Sequence, residues 1–156
     1  MILALYKLRE EDQPVYQRDI RVRVISGYQS AHFPALQQRR FFGSEFEVSD
    51  RADRMGYRLN GPVIKCDIEG ILSEGICQGA IQIPADGQPI VLMNDRQTIG
   101  GYPKIGSALS LDLHQLGQLT PGAGVQFERI DLQEAHNILH LQRARLASVQ
   151  TDIIDD

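Results

Sequence analysis

Lys104 ends a run whose residue types suit chemistry: Asp95-Arg96-Gln97-Thr98-Ile99-Gly100-Gly101-Tyr102-Pro103 precedes it directly. A lysine there could set a positive charge, or a neutral amine if desolvated, beside an acyl or carboxyl group. The Gly100-Gly101 backbone could present amide donors to an oxyanion. Lys104 and Asp95 are therefore the candidate catalytic residues. The run is not a P-loop, because the spacing and the Lys-[Ser/Thr] ending are absent. A tight connection that needs glycine for its φ angles is the competing reading.

Upstream lie Gln78, Gln82 and Gln88, with Asp86 among them. Glutamine offers both donor and acceptor edges, which suits an amide, a urea or a ureido ring, but it cannot act as a general base. The plain alternative is the polar outward face of a half-buried hairpin. Arg54 and Arg58 flank Tyr57, and an arginine fork can hold a carboxylate or phosphate in bidentate fashion. In a strand the two arginines would share a face, either solvated or paired with Asp53 and Glu74. The candidate substrate-binding set is thus Arg54, Tyr57, Arg58, Gln82, Asp86, Gln88, Gln97, Thr98, Gly100, Gly101 and Tyr102. His136 and His140 lie one helical turn apart near Glu134 without a third ligand, so no metal site is expected. His32 and His114 have no triad partner in sequence, and no Gly-x-Ser-x-Gly elbow occurs.

These residues need a scaffold, and the pattern around them is rich in short strands. Ile20 to Ile25 alternates, with Val22 and Val24 on one face. Ser30 could cap a helix from Ala31 to about Phe42, within limits set by Pro34. Phe46-Glu47-Val48, Tyr57-Arg58-Leu59 and Ile71-Leu72 read as strands. Ile81 to Met93 reads as a hairpin that turns at Ala85-Asp86-Gly87-Gln88, since Asp-Gly favours a tight turn. Ile105 to Leu111 is a further strand, and Asp112 is the expected N-cap of a helix to Leu119. Val125 to Ile130 alternates as the last strand. Asp131 caps a final helix to about Val149, with Leu132, Ala135, Ile138, Leu139 and Leu146 mostly on one side.

Short strands with frequent turns and peripheral helices predict a mainly β domain, a barrel or sandwich, over a doubly wound sheet. The expected organisation is an N-terminal arm or first short strand over residues 1–19, one domain over 20–149, and an acidic tail over 150–156 that frays. The 156-residue length can bury a real core, and the net charge of −4 provides no footprint for nucleic acid. No apolar run approaches the roughly 20 residues of a membrane helix. The first residues lack a basic n-region, and Cys66 and Cys77 suit plain thiols in a reducing compartment. A cytoplasmic protein that binds neither nucleic acid nor membrane is expected.

Three segments carry a resemblance: SDRADRMGYRLNGP, SEGICQGAIQIPADGQPIVLMNDRQTIGGYPKIG and LTPGAGVQFERI. Together they resemble the biotin-dependent carboxyltransferase family that includes allophanate hydrolase subunit 2, the 5-oxoprolinase subunit-C proteins and KipA. The match runs roughly from Ile20 to His140, and Asp-Gly-Gln-Pro followed by Gln-Thr-x-Gly-Gly-Tyr is its specific part. The resemblance implies a cyclophilin-like β-barrel and a subunit-B (KipI-like) partner. With that partner and an ATP-handling subunit-A protein, family members act on 5-oxoproline. In fused relatives the equivalent region passes carboxyl from carboxybiotin to urea. It implies no cofactor bound by this chain alone, with biotin presented and ATP handled by partners.

Two departures stand out. Family members are usually longer, and their N-terminal half carries its own glycine-rich motif. This chain resembles the C-terminal half alone, so a separately supplied N-terminal half is an expected partner and the isolated chain is expected to be catalytically silent. Arg51-Ala52 is also inserted at the start of the first motif. The alternative within the resemblance is a KipA-like regulatory module that binds a KipI-like inhibitor without catalysis. Prolyl isomerisation is suggested only by the barrel, which is a weak warrant.

Overall fold

A computed structural model describes residues 5–68 and 70–154. In chain order the strands are β1 (Leu5–Leu8), β2 (Ile20–Ser26), β3 (Glu45–Val48), β4 (Gly56–Asn60), β5 (Glu74–Gly75), β6 (Ala80–Gln82), β7 (Ile90–Leu92), β8 (Ile99–Gly100), β9 (Lys104–Ala108), β10 (Gly124–Ile130) and β11 (Thr151–Ile154). The α-helices are α1 (Ala35–Gly43), α2 (Ser110–Leu116) and α3 (Leu132–Ser148).

Seven strands close into a barrel in the order β10-β2-β9-β6-β7-β4-β3, with β3 pairing back onto β10. The β10–β2 pair is parallel and the others are antiparallel. Alternation explains the interior: Ile20, Val22 and Val24 of β2 and Val125 and Phe127 of β10 are buried, while the polar residues between them face outward. The helix α1 packs on this wall, and Phe41 stacks on Phe127 with ring centroids 4.3 Å apart. The closed barrel is the fold expected from the resemblance, and closure leaves no free edge along these strands.

The β6–β7 hairpin forms as its Asp-Gly turn predicts, with Ile81 opposite Val91 and Gln82 opposite Ile90. Gly87 adopts φ +72° and its amide donates to the Pro84 carbonyl at 2.9 Å, while the Asp86 carboxylate accepts from the Gln88 amide at 3.1 Å. The Asp131 cap also forms, accepting from the Glu134 amide at 2.7 Å. Along α3 only the middle packs as expected: Ala135 is buried and Ile138 and Leu139 are half-buried, but Leu132 and Leu146 are exposed.

Other expectations need correction. Ser30 caps no α-helix: a short 3-10 turn spans Tyr28–His32, and α1 begins only after Pro34, whose ring disfavours helix at the residue before it. The strand from Ile105 ends at Ala108, and α2 starts at Ser110. Asp112 therefore lies inside the first turn and is not the N-cap; its buried carboxylate binds Arg23 instead. Ile71-Leu72 is no strand, and Leu72 is 94% exposed; the local strand is Glu74–Gly75, paired with Ile99–Gly100 in a separate two-stranded ribbon. The tail does not fray as far as Ile154, because β11 pairs antiparallel with β1; Asp155 and Asp156 lie outside the described residues.

Candidate functional site

Arg54, Tyr57, Arg58, Gln82, Gln97, Tyr102 and Lys104 divide among three cavities. The first, of about 210 Å³, is lined by Arg58, Gln82, Gln97 and Tyr102 with Met55 and Ile90. Gln82 points from β6 and is 2% exposed, yet its Nε2 has no hydrogen-bond partner among the described residues. Leaving such a donor unpaired costs about 1–3 kcal/mol, so its presence asks for an acceptor. A register irregularity between Ile81 and Gln82 sets this side chain apart from the regular β6–β9 ladder. Arg58 on β4 is tied to Asp86 of the hairpin turn at 3.3 Å and so sits fixed beside the cavity.

Near Gln82, backbone from β8 approaches closely. A Cβ on Gly100 would stand 2.9 Å from Gln82 Nε2 and would strike the Ile76 side chain. A side chain at Gly100 would make the Ile76 and Gln82 side-chain ends give way. Thr98 and Gly101 contribute their carbonyls to this ribbon, accepting from the Ile76 and Ile71 amides, each at 2.9 Å. Gln88 is spent elsewhere: its Oε1 accepts from the Gly61 amide at 2.8 Å and its Nε2 donates to the Gly61 carbonyl at 3.1 Å.

A second cavity, of about 330 Å³, is lined by Lys104, Glu74, Tyr28, Gln29, Cys77 and Ser107, among others. Lys104 Nζ donates to Glu74 Oε1, and the Tyr28 hydroxyl donates to Glu74 Oε2. Gln29 Nε2 donates to Glu74 Oε1 at 2.8 Å, and its Oε1 accepts from the Lys104 backbone amide at 2.8 Å. The hydrogen bond from Lys104, then that from Tyr28, holds the Glu74 carboxyl below its usual range. The same Glu74 contact pushes the Tyr28 phenol up. Lys104 is thus a charged donor engaged by a carboxylate.

Arg54 and Tyr57 border a third, larger cavity of about 810 Å³ together with Gln78 and His114. Arg54 precedes β4, so it does not share a strand face with Arg58. It pairs with Asp95 at 2.9 Å in an exposed position, which places Asp95 with Arg54 and not with Lys104. The alternative pairing of the arginines with Asp53 and Glu74 does not form, since Arg54 is taken by Asp95 and Arg58 by Asp86. Asp53 accepts from the Met55 and Gly56 amides in a local turn. The Tyr57 hydroxyl donates to the Gly117 and Leu119 carbonyls, and burial pushes its phenol pKa up. Among the described residues no group of His, Cys, Asp and Glu is placed to hold a metal ion, and no helix is long and apolar enough to cross a membrane.

Sequence reasoning missed Tyr28, Gln29 and the role of Glu74. Tyr28 and Gln29 lie far from Lys104 in a segment with no motif of its own, and Glu74, though inside the motif that opens at Ser73, has nothing local to mark its partner.

The scaffold is a closed mixed barrel whose cavities are lined by amide, guanidinium and ammonium groups. Residues 3–129 match the family model for the carboxyltransferase domain, subdomain A and B, and the chain belongs to this family. It is 40% identical to the 5-oxoprolinase subunit-C protein of Escherichia coli over 116 residues, 74% of this chain and 37% of that protein. It is 35% identical to the 5-oxoprolinase subunit-C protein of Haemophilus influenzae over 145 residues, 92% of this chain and 46% of that protein. The chain therefore spans less than half the length of these curated relatives. Its fold is similar to part of the Kluyveromyces lactis urea carboxylase, with a TM-score of 0.77 at 23% identity over 85% of this chain and 13% of that one.

Proposed function

We propose that this chain forms one wall of a binding site for a small cyclic amide or urea-like compound, as a component of a 5-oxoprolinase- or carboxyltransferase-type assembly. The observation that carries the reading is Gln82 Nε2, a buried donor without a partner among the described residues, beside a cavity lined by Arg58, Gln97 and Tyr102. A lactam or urea carbonyl supplies the acceptor it lacks, and the outer amide of Gln97 can meet the ring N–H. The names of the relatives support the same chemistry, since 5-oxoproline is a lactam and urea a diamide, and both offer a planar carbonyl beside N–H.

A ureido ring such as that of biotin also fits this donor set, with Gln82 and Gln97 as the residues that would hold it. When presented by a partner as carboxybiotin, that group supplies the transferable carboxyl. This chain's own contribution is to bind and orient the planar amide at Gln82 and Gln97, with Lys104, paired with Glu74 in the second cavity, as the residue to be tested beside them. In this reading a subunit-B (KipI-like) protein, an ATP-handling subunit-A protein and the remaining part of the family protein complete the assembly in the cytoplasm.

The test is 5-oxoproline turnover by the reconstituted assembly, with Gln82→Met and Lys104→Ala variants of this chain. Loss of turnover in Gln82→Met with retained capture of the subunit-B protein supports the reading, whereas unchanged turnover sinks it. Unchanged turnover in Lys104→Ala would remove that residue from the reaction. Loss of capture when Gln82, Gln97 and Lys104 are replaced would move them to an interface, as a KipA-like regulatory module requires.

A further inference from the structure

We propose that Lys104, Tyr28 and Gln29 form a receptor for the carboxylate of a small ligand, and that Glu74 occupies this receptor as an internal stand-in when no ligand is bound. Three donors converge on the Glu74 carboxylate: the Lys104 ammonium, the Tyr28 hydroxyl and the Gln29 amide. Charge-assisted bonds of this kind are the strong ones, and a carboxylate can accept several at once.

The donors and the acceptor differ in how firmly they are held. Lys104 lies on barrel strand β9, and Gln29 is buried at 4% exposure. Gln29 is locked to β9 by accepting the Lys104 amide, and the Gly27 amide donates to the Ile105 carbonyl at 3.2 Å. Gln29 Nε2 also lies 3.0 Å from the Tyr28 hydroxyl, a contact that does not involve Glu74. Lys104 and Gln29 are therefore anchored to the barrel, while Tyr28, 75% exposed on the 3-10 turn, is held beside them through Gln29. Glu74, by contrast, sits on the two-residue strand β5, whose ladder among the described residues is with the two-residue strand β8. Such a ribbon is marginal by itself in water. An acceptor on a loosely held ribbon can leave donors that stay in place.

Departure of Glu74 opens the lysine side of a cavity of about 330 Å³, a size that suits a compact carboxylic acid. The competing account is that Glu74 and Lys104 are a structural ion pair that merely pins the ribbon. The two accounts differ in what a free carboxylate does to the protein.

Acetate binding to the purified chain and to its Glu74→Gln variant, measured by calorimetric or NMR titration, separates them. The expected result is acetate binding about tenfold tighter in Glu74→Gln than in the wild type, because the internal competitor has lost its charge. Adding Lys104→Met to that variant should abolish the gain. Equal affinity in wild type and Glu74→Gln, or a gain that survives Lys104→Met, overturns the proposal. If Glu74→Gln does not fold, Glu74→Asp withdraws the carboxylate by one methylene and is read in the same way.

A second measurement needs no variant. Saturating acetate should speed hydrogen exchange at the Ile71 and Ile76 amides, which bond the ribbon together, and unchanged exchange would count against displacement. The inference does not depend on the Gln82 reading. Binding of 2-pyrrolidinone, which has the lactam but no carboxylate, reports on the Gln82 cavity, so either idea can fail while the other stands.

Discussion

Gln82 and Lys104 are register partners on β6 and β9, yet their side chains line different cavities. The ribbon explains how. Its own register pair, Glu74 and Gly100, contacts the same two residues: Glu74 holds the Lys104 ammonium, and Gly100 lies against Gln82. One small ribbon thus touches a lining residue of each cavity, Lys104 through Glu74 and Gln82 through Gly100.

Replacing Gln82 by methionine should raise stability and remove ligand binding together. The unpaired amide costs about 1–3 kcal/mol in the folded state, and a thioether of similar volume carries no such donor. Urea unfolding should show a higher midpoint for Gln82→Met, while titration with 2-pyrrolidinone should show no binding. A variant that is less stable than the wild type would mean that the amide has a partner in the native protein.

Gly100→Ala should damage the same cavity from the other side. The added methyl meets the ends of the Ile76 and Gln82 side chains, so these must turn aside, at about 0.5–1.5 kcal/mol for an off-rotamer side chain. Because the ribbon lies outside the barrel, circular dichroism should stay native while hydrogen exchange at the Ile76 amide accelerates. Native protection at that amide would show that the approach is looser than described.

Arg23 and Asp112 join β2 to α2, and their loss should be felt globally. Asp112 accepts from the Arg23 amide at 2.7 Å, from Nε at 3.0 Å and from Nη2 at 2.5 Å. Asp112→Ala leaves a buried amide and a half-buried guanidinium without their acceptor, at a cost of about 2–3 kcal/mol once partial solvent exposure is allowed for. Thermal unfolding should drop accordingly, and a change within experimental error would refute this role.

The Glu74 contacts predict pH behaviour of opposite sign at the two ends of the scale. Glu74 has its folded pKa depressed below 4.5, so its stabilising effect is fully present above that value and is lost as pH falls through the lower folded pKa. Tyr28 has its folded pKa raised above 10, so its contribution is present below that value and is lost as pH rises through the folded pKa. Ultraviolet titration should find both Tyr28 and Tyr57 ionising late, and Glu74→Gln should move only Tyr28 back toward 10. No movement would show that the hydroxyl is not held by Glu74.

How much of this was readable in advance depended on the range of the interaction. Alternation along Ile20 to Ile25 and Val125 to Ile130 defined inward faces, Asp86-Gly87 defined a turn, and Asp131 defined a helix start. Each rests on bonds within a few residues, so the local chain suffices. Likewise the polar types at Gln82 and Lys104 announced binding chemistry, though not with whom.

Partners were decided only by the closed barrel. Asp112 looked like a cap until α2 began at Ser110 and carried it, across 89 positions of sequence, to Arg23. Gln29 reaches the Lys104 amide across 75 positions, and Glu74 reaches its ammonium across 30. Such pairings follow from strand order, from the parallel β10–β2 closure and from a register shift beside Gln82, and none of these leaves a periodic trace. A residue type and its face are local properties of the chain; the neighbour opposite it is a property of the closed sheet.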